Sequence, residues 1–308
     1  MNKLISIVIP AHNEEENIVV IVSRIEQVFN TLAYNYEIII VDDGCSDGTL
    51  SVVQQIAAND PRVFYIELSR NFGHQSALKA GLDSAHGDCV ISLDADLQHP
   101  PELFVQMIQK WEEGYDVVYT RREDDPALPA SKRKTSAYFY KLLNALSDTE
   151  IEAGTADFRL MDAKVVSVFR GFAENDLFIR GMVKWLGFRQ YAIDYMPSKR
   201  FAGASKYSLR KMRKLAVQGV TSLSVKPLHM AVYLGFFISG ISLLYIPYVI
   251  HAYFFARHVS GWASIIVTVA FFGGLQLVIL GIIGIYIGKM FMQGKNRPTY
   301  IIRSTNIK

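Results

Sequence analysis

Short apolar runs alternate with helical patterns over residues 4–119. LISIVIP (4–10), YEIIIVD (36–42), VFYIEL (63–68), DCVISLD (88–94) and YDVVY (115–119) are rich in β-branched residues. They are continuous rather than alternating runs, which predicts strands buried on both faces of a parallel sheet. The intervening segments, near 14–32, 47–58, 73–85 and 101–113, predict helices. This order predicts an α/β, doubly wound, mainly parallel sheet, in which ligands sit beyond the carboxyl ends of the strands.

The polar residues follow that rule. PAHNEE comes after the first run, DDGCSDGT after the second, SRNFGH after the third and DADLQ after the fourth. Each alone reads as an ordinary turn with a helix cap, as Asp47 would be for the second helix. Four at one sheet edge predict a single crevice, with Gly44 and Gly48 allowing backbone to approach a ligand closely.

The pattern changes after residue 230. Residues 231–256 and 262–288 contain no Asp, Glu, Lys or Arg, and each run exceeds the ~20 residues that cross a bilayer as a helix. Only RHVSG (257–261) separates them, which predicts a hairpin of two transmembrane helices. Lys211, Arg213, Lys214 and Lys226 precede the pair, and Lys289, Lys295, Arg297 and Arg303 follow it. Arg257 alone lies in the connection, so the positive-inside rule puts both termini in the cytoplasm. KYSLRKMRKLAVQGVTSLSV (206–225) reads as a basic amphipathic helix at an anionic surface. ASKRKTSAYFYKLLNALS (130–147) fits either that role or a solvated helix face. The predicted organisation is a catalytic domain over 1–205, a juxtamembrane helix over 206–228, two spans over 229–290 and a cytoplasmic tail over 291–308.

Composition sharpens this picture. The net charge of +3 over 308 residues hides a split. Up to Asp194 the chain has 18 basic and 29 acidic residues, a net of −11, whereas the last 114 residues carry 14 basic and no acidic ones. The second part therefore meets something anionic, and the uncharged runs assign that role to a membrane rather than to nucleic acid. MNKLISIVIP is too short an apolar run for a secretory signal. Cys45 and Cys89 make no disulfide framework, as suits a reducing compartment. No internal repeat is visible.

Asp94 and Asp96 are the sharpest chemical feature, because like charges at the end of a buried strand repel and lose hydration. They could serve as general acid and base, as a helix cap or as metal ligands. With the Gln98 amide they offer only oxygens, which suits Mg²⁺ or Mn²⁺ holding a substrate diphosphate. No His/Cys cluster has zinc spacing, and His99 reads as a bystander.

SIVIPAHNEEENI, VDDGCSDGT, LSRNFGHQSALKAGLD, SLDADLQHPPEL and ADFRLMD together resemble the family 2 glycosyltransferases of the GT-A fold. The whole chain, with its span pair and KNRPTYII, is similar to the polyprenyl-phosphate branch, which includes bactoprenol glucosyltransferases and dolichol-phosphate mannose synthases. Cys45 departs from the family's usual DDGS. The resemblance implies that Pro10, Ala11, Asn13, Glu14, Asp42 and Asp43 hold the nucleotide, and that Asp94, Asp96 and Gln98 meet the metal and diphosphate. It gives Asp157 a role near the sugar and acceptor, as base or as orienting group. RFAGASKY resembles the family's R-x-x-G-x-S-K segment, so Arg200, Ser205 and Lys206 would contact phosphates. Arg121, Arg133 and Lys134 are further candidates for the acceptor phosphate.

The implied reaction is inverting transfer of a sugar, first of all from UDP-glucose, to undecaprenyl phosphate at a bacterial inner membrane. UDP-N-acetylglucosamine, a UDP-aminopentose and GDP-mannose are the alternative donors. Gly273, Gly274, Gly281, Gly284 and Gly288 would let the spans pack against copies of themselves, so a homo-oligomer is a further expected partner. A processive polysaccharide synthase would carry a Q-x-x-R-W motif and more spans, both missing here. A non-catalytic membrane scaffold would have no need of both carboxylates.

Overall fold

The computed structural model describes residues 3–122, 141, 144–146, 152, 154–172, 174, 178–196, 221, 224–255 and 261–307. Most of the expected amphipathic helices 130–147 and 206–225, and the connection at 257–260, lie outside the described residues. The expected strands and helices form as β1 (Leu4–Ala11), α1 (Glu15–Phe29), β2 (Asn35–Asp42), α2 (Thr49–Asn59), β3 (Val63–Leu68), α3 (His74–Ser84), β4 (Cys89–Ser92), α4 (Phe104–Glu112) and β5 (Val117–Arg122). Beyond them lie β6 (Thr155–Asp162), α5 (Ala163–Arg170), α6 (Ile179–Trp185), β7 (Gln190–Tyr195), α7 (Lys226–Phe255), α8 (Trp262–Gly294) and β8 (Ile302–Thr305).

The strands join one sheet in the order β7-β5-β6-β4-β1-β2-β3-β8. Its centre is parallel as expected, with β1 flanked by β2 and β4. Two strands run the other way. β6 pairs antiparallel with both β4 and β5, and β8 pairs antiparallel with β3. The reversal of β6 matters for the site, because its first residues lie at the same edge as the last residues of β1, β2 and β4. Ser92 pairs with Arg159, so Asp157 lies just beyond the end of β4, beside Asp94.

Alternate strand residues supply two cores. Ile5, Ile7, Ile9, Ile38 and Ile40 pack with Ile18, Ile21 and Ile25 of α1 and Phe104 and Met107 of α4. Val8, Ile39 and Val41 face Ala77 and Leu78 of α3, Phe169 of α5 and Met182 of α6. Both faces of the central strands are thus covered by helices, which is why their sequences read as continuous apolar runs.

The apolar stretches form the long helices α7 and α8, and the Tyr286 hydroxyl of α8 donates at 2.8 Å to the carbonyl of Ser224, two residues before α7. Among the described residues one helix, over Ile265–Gly294 with mean hydropathy 2.4, is long and apolar enough to cross a membrane. Its Leu277 and Met290, with Phe236 of α7, stand at least 70% exposed.

Candidate active site

Four loops meet at the carboxyl edge of the sheet. Pro10 and Ala11 end β1 opposite Val41 and Asp42. The chain then turns through Asn13, which holds a positive φ of 58°. Its side-chain oxygen accepts from the Ser46 N–H at 2.9 Å, and Glu14 N–H donates to the Thr49 hydroxyl at 3.0 Å as α1 begins. Asp47 accepts from the Thr49 N–H at 3.1 Å just before α2, whose N-cap is Gly48 rather than the expected Asp47. The Cys45 thiol accepts from Asn13 N–H at 3.2 Å and donates to the Ala11 carbonyl at 3.6 Å. Burial pushes that thiol up to about 12, so it is a neutral stitch between two loops rather than a nucleophile.

The adjacent carboxylates Asp42 and Asp43 have different surroundings, although both are buried. Asp43 accepts from the Phe72 N–H at 2.7 Å and the Gly73 N–H at 3.0 Å, and so fixes the β3–α3 loop. Asp42 Oδ2 faces the Cys45 N–H at 3.4 Å, whereas its Oδ1 is buried with no hydrogen-bond partner. Asp42 therefore has a buried acceptor without a hydrogen bond, and Asp43 is engaged by the protein. Gly44, at φ +63°, lets the two loops touch: a Cβ there would sit 2.5 Å from Arg70 C and Asn71 N.

The β4 loop carries Asp94, Asp96 and Gln98. Leu97 between them holds a positive φ of 61°, a conformation that non-glycine residues avoid and that clusters at functional sites. Asp96 Oδ1 accepts from the Gln98 N–H at 3.1 Å. His99 is no bystander. Its Nδ1 accepts from the Asp94 N–H at 3.1 Å while its ring stacks on Phe158. Asp94 Oδ1 is buried and accepts no hydrogen bond. His74 Nε2 lies 3.4 Å from that oxygen and 3.5 Å from Asp157 Oδ2. Burial works against charge on His74, but the Asp94 carboxylate and then Asp157 outweigh it and raise the ring from 6.5 to about 9.

Asp157 is the hub behind this pair. Arg180 grips it with Nε and Nη2 at 3.0 and 2.9 Å, Gln75 donates at 3.1 Å, and Arg159 Nη2 lies at 3.3 Å. Burial alone would raise this carboxyl, but Arg180, His74 and Arg159 hold it well below the usual carboxylate range. A carboxylate so saturated is a poor proton acceptor and a good anchor.

A divalent ion fits this chemistry. Among the described residues no three His, Cys, Asp or Glu side chains converge into a closed cage. Two carboxylates, one of them with a buried oxygen that accepts no hydrogen bond, make instead an open oxygen site, of the kind Mg²⁺ or Mn²⁺ shares with a substrate phosphate. Asp94 and Asp96 would hold the ion, with Gln98 adjacent. Arg121 differs from its expectation: its guanidinium is bound in a fork by Asp194 at 2.6 and 2.9 Å, so a phosphate would have to displace a carboxylate. Arg133, Lys134, Arg200, Ser205 and Lys206 lie outside the described residues.

Residues 6–169 match the family model for glycosyl transferase family 2. The chain belongs to glycosyltransferase family 2. It is 43% identical over 301 residues to an uncharacterized glycosyltransferase of Bacillus subtilis (strain 168), covering 97% of this chain and 93% of that one. It is 40% identical over 303 residues to the bactoprenol glucosyl transferase of Shigella phage SfII, covering 98% of each. In three dimensions it resembles a mannosyltransferase of Pyrobaculum calidifontis solved with GDP-Man and Mn²⁺, with a TM-score of 0.51 at 18% identity over 72% of this chain and 64% of that one. The last likeness is one of fold, a GT-A-like mixed α/β sheet.

Sequence reasoning passed over His74, Gln75, His99, Arg159 and Arg180 as site residues. His74 closes the SRNFGH loop and Gln75 follows it, whereas Arg159 stands two residues from Asp157 in ADFRLMD without a signal of its own. Arg180 comes from α6 and had no local signal.

Proposed function

We propose that this glycosyltransferase moves a glucosyl group from UDP-glucose to a polyprenyl phosphate at the cytoplasmic face of a bacterial inner membrane, with inversion. The observation that carries the reading is the buried Asp94 oxygen that accepts no hydrogen bond, beside Asp96 at the sheet edge where four loops converge. The near-full-length likeness to a bactoprenol glucosyl transferase supports the acceptor class.

The donor's base and ribose lie against Pro10, Ala11, Asn13, Glu14 and Asp42, with Asp43 bracing the loop beside them. Its diphosphate lies toward Asp94, Asp96 and Gln98. The divalent ion, when bound, supplies positive charge to the departing diphosphate. A lipid phosphate oxygen attacks the anomeric carbon as the bond to the nucleoside diphosphate breaks. A phosphomonoester with a second pKa of about 6 is already largely dianionic at neutral pH, so the nucleophile needs no strong base. Asp157, gripped by Arg180, acts as an orienting group. Arg200, Ser205 and Lys206 contact the phosphates, and Arg133 and Lys134 serve the acceptor.

The catalytic domain spans 1–205 and the juxtamembrane helix 206–228. Both apolar helices cross the bilayer within 229–290, and the tail over 291–308 is cytoplasmic. The exposed apolar side chains of α7 and α8 support burial in lipid or against a second copy. The test is turnover by the full chain in nanodiscs with Mn²⁺, a short polyprenyl phosphate and radiolabelled donors. Lipid-linked product from UDP-glucose is expected. Product from UDP-N-acetylglucosamine, a UDP-aminopentose or GDP-mannose alone would move the donor assignment, and no product from any of them would overturn the reading.

A further inference from the structure

The chain returns to the catalytic sheet after α8. Seven residues separate Gly294, the end of α8, from Ile302, the start of β8. Fully extended they reach about 25 Å, so β8 is tethered close to the end of the apolar helix. β8 covers the outer edge of β3, where backbone groups would otherwise stand unpaired.

Covering an edge requires only a backbone ladder, and this tail makes further contacts. Arg303 Nη1 pairs with Glu67 at 3.0 Å, and Ser304 Oγ donates to the same carboxylate at 2.6 Å. Tyr300 donates to Asp83 at 2.8 Å, and Asn306 accepts from the Tyr65 N–H at 2.7 Å. Most telling is Ser69, the first residue after β3. Its N–H donates to the Ile301 carbonyl at 2.9 Å and its carbonyl accepts from Arg303 Nη2 at 2.8 Å. The tail therefore grips the root of the β3–α3 loop through both backbone polar groups of one residue.

That loop reaches the site within five residues. Asn71 Nδ2 contacts His12 Nε2 at 3.1 Å. Phe72 and Gly73 donate to Asp43. His74 lies between Asp94 and Asp157. A shift at Ser69 is transmitted along a loop that packs directly on Gly44, where no side chain could fit.

We propose that the C-terminal strand is a positioning element for sugar transfer, with Arg303 as its key positioning residue: it holds the β3–α3 loop, and through it His74, in register with the two carboxylate centres. The inference rests on the transferase reading. It means that the segment leaving the membrane helix also sets the geometry of the donor site.

The experiment compares wild type, Arg303→Ala, Arg303→Lys and a chain ending at Thr299, all full membrane preparations. Amide hydrogen exchange over 69–74, UDP affinity by calorimetry, and kcat and KM for the donor are measured. Arg303→Ala keeps the backbone ladder, so it should leave the melting temperature nearly unchanged while exchange over 69–74 rises and kcat/KM falls about tenfold, as small misplacements do. Arg303→Lys keeps the charge but lacks the fork that reaches Glu67 and Ser69 together, so it should recover only part of the loss. The shortened chain should lose more, and a peptide of residues 299–308 added in trans should restore activity. Unchanged loop exchange and unchanged kcat/KM in Arg303→Ala would overturn the proposal, whether or not the shortened chain folds. If wild type transfers no sugar, the transferase reading fails by itself, and loop exchange with UDP affinity still decides whether the tail orders the site.

Discussion

Asp157→Asn removes one charge from the hub and leaves its shape. In the native protein the Asp157 carboxylate faces Arg159, whose side chain is 2% exposed, and Arg180, whose side chain is 30% exposed. Arg180 can turn toward water, so its part of the loss is small. Arg159 cannot, and breaking a buried pair by deleting one partner costs about 3–5 kcal/mol. Asparagine keeps one acceptor oxygen, which argues for the lower end, about 3 kcal/mol. For a domain of about 150–250 residues each kcal/mol moves the melting temperature by about 2–4 °C, so a drop of about 6–12 °C is expected at pH 7. The difference should depend on pH. The carboxyl is held below its ordinary range in the folded state. Its stabilisation is therefore complete above the unfolded value of about 3.9 and is lost as pH falls through the depressed folded value. Thermal or denaturant unfolding from pH 7 down to pH 3 should show the gap between wild type and variant closing at the acid end. Removing the second charge as well, in Asp157→Asn/Arg159→Met, should recover part of the stability. An unshifted melting temperature at pH 7 would refute the hub as a buried ion-pair centre.

Asp96→Ala should abolish transfer at any Mn²⁺ concentration without unfolding the sheet; full turnover by that variant in EDTA would remove the metal from the reaction. Cys45→Ser should keep turnover within about twofold, because a hydroxyl can donate and accept where the neutral thiol does, and wild type should resist iodoacetamide at pH 7.5. Rapid alkylation with loss of activity would contradict the reading of that thiol. Gly44→Ala should destabilise by about 1–3 kcal/mol, since it combines positive φ with a backbone collision. An unchanged unfolding midpoint would show that the loops part easily.

The central strands and the four loops were legible because their physics is local. A strand covered on both faces must be apolar throughout, and the polar residues that interrupt it mark its carboxyl end. β6 was not legible as a strand because Asp157, Arg159 and Asp162 give it the look of a polar motif. The first two are buried only because they neutralise each other and meet Arg180, and no property of ADFRLMD alone announces that. Arg121 has a partner that its own segment does not announce. A basic residue near a phosphate site is a fair guess from sequence, but its register opposite Asp194 on β7 is set 73 residues further along the chain. β8 escaped because four residues, mostly exposed, have no periodicity to read.

The like charges at the end of β4 can now be weighed against what surrounds them. A buried carboxylate is tolerated when cations or donors balance it. Asp157 has such balance in full, from Arg180, Arg159, His74 and Gln75. Asp43 has it from two backbone N–H groups. Asp94, whose side chain is about a third exposed, lies 3.4 Å from His74, and one of its oxygens is buried without a hydrogen bond. The protein could have satisfied that oxygen with a nearby amide, as it does for Asp43. Instead it holds Leu97 in a strained conformation between Asp96 and Gln98, close to an oxygen that accepts no hydrogen bond. A buried oxygen without a hydrogen bond and backbone strain at one point lower stability without serving the fold. They are intelligible if the deficit is made up by a cation that arrives with the substrate, so that the site is completed by binding rather than by folding.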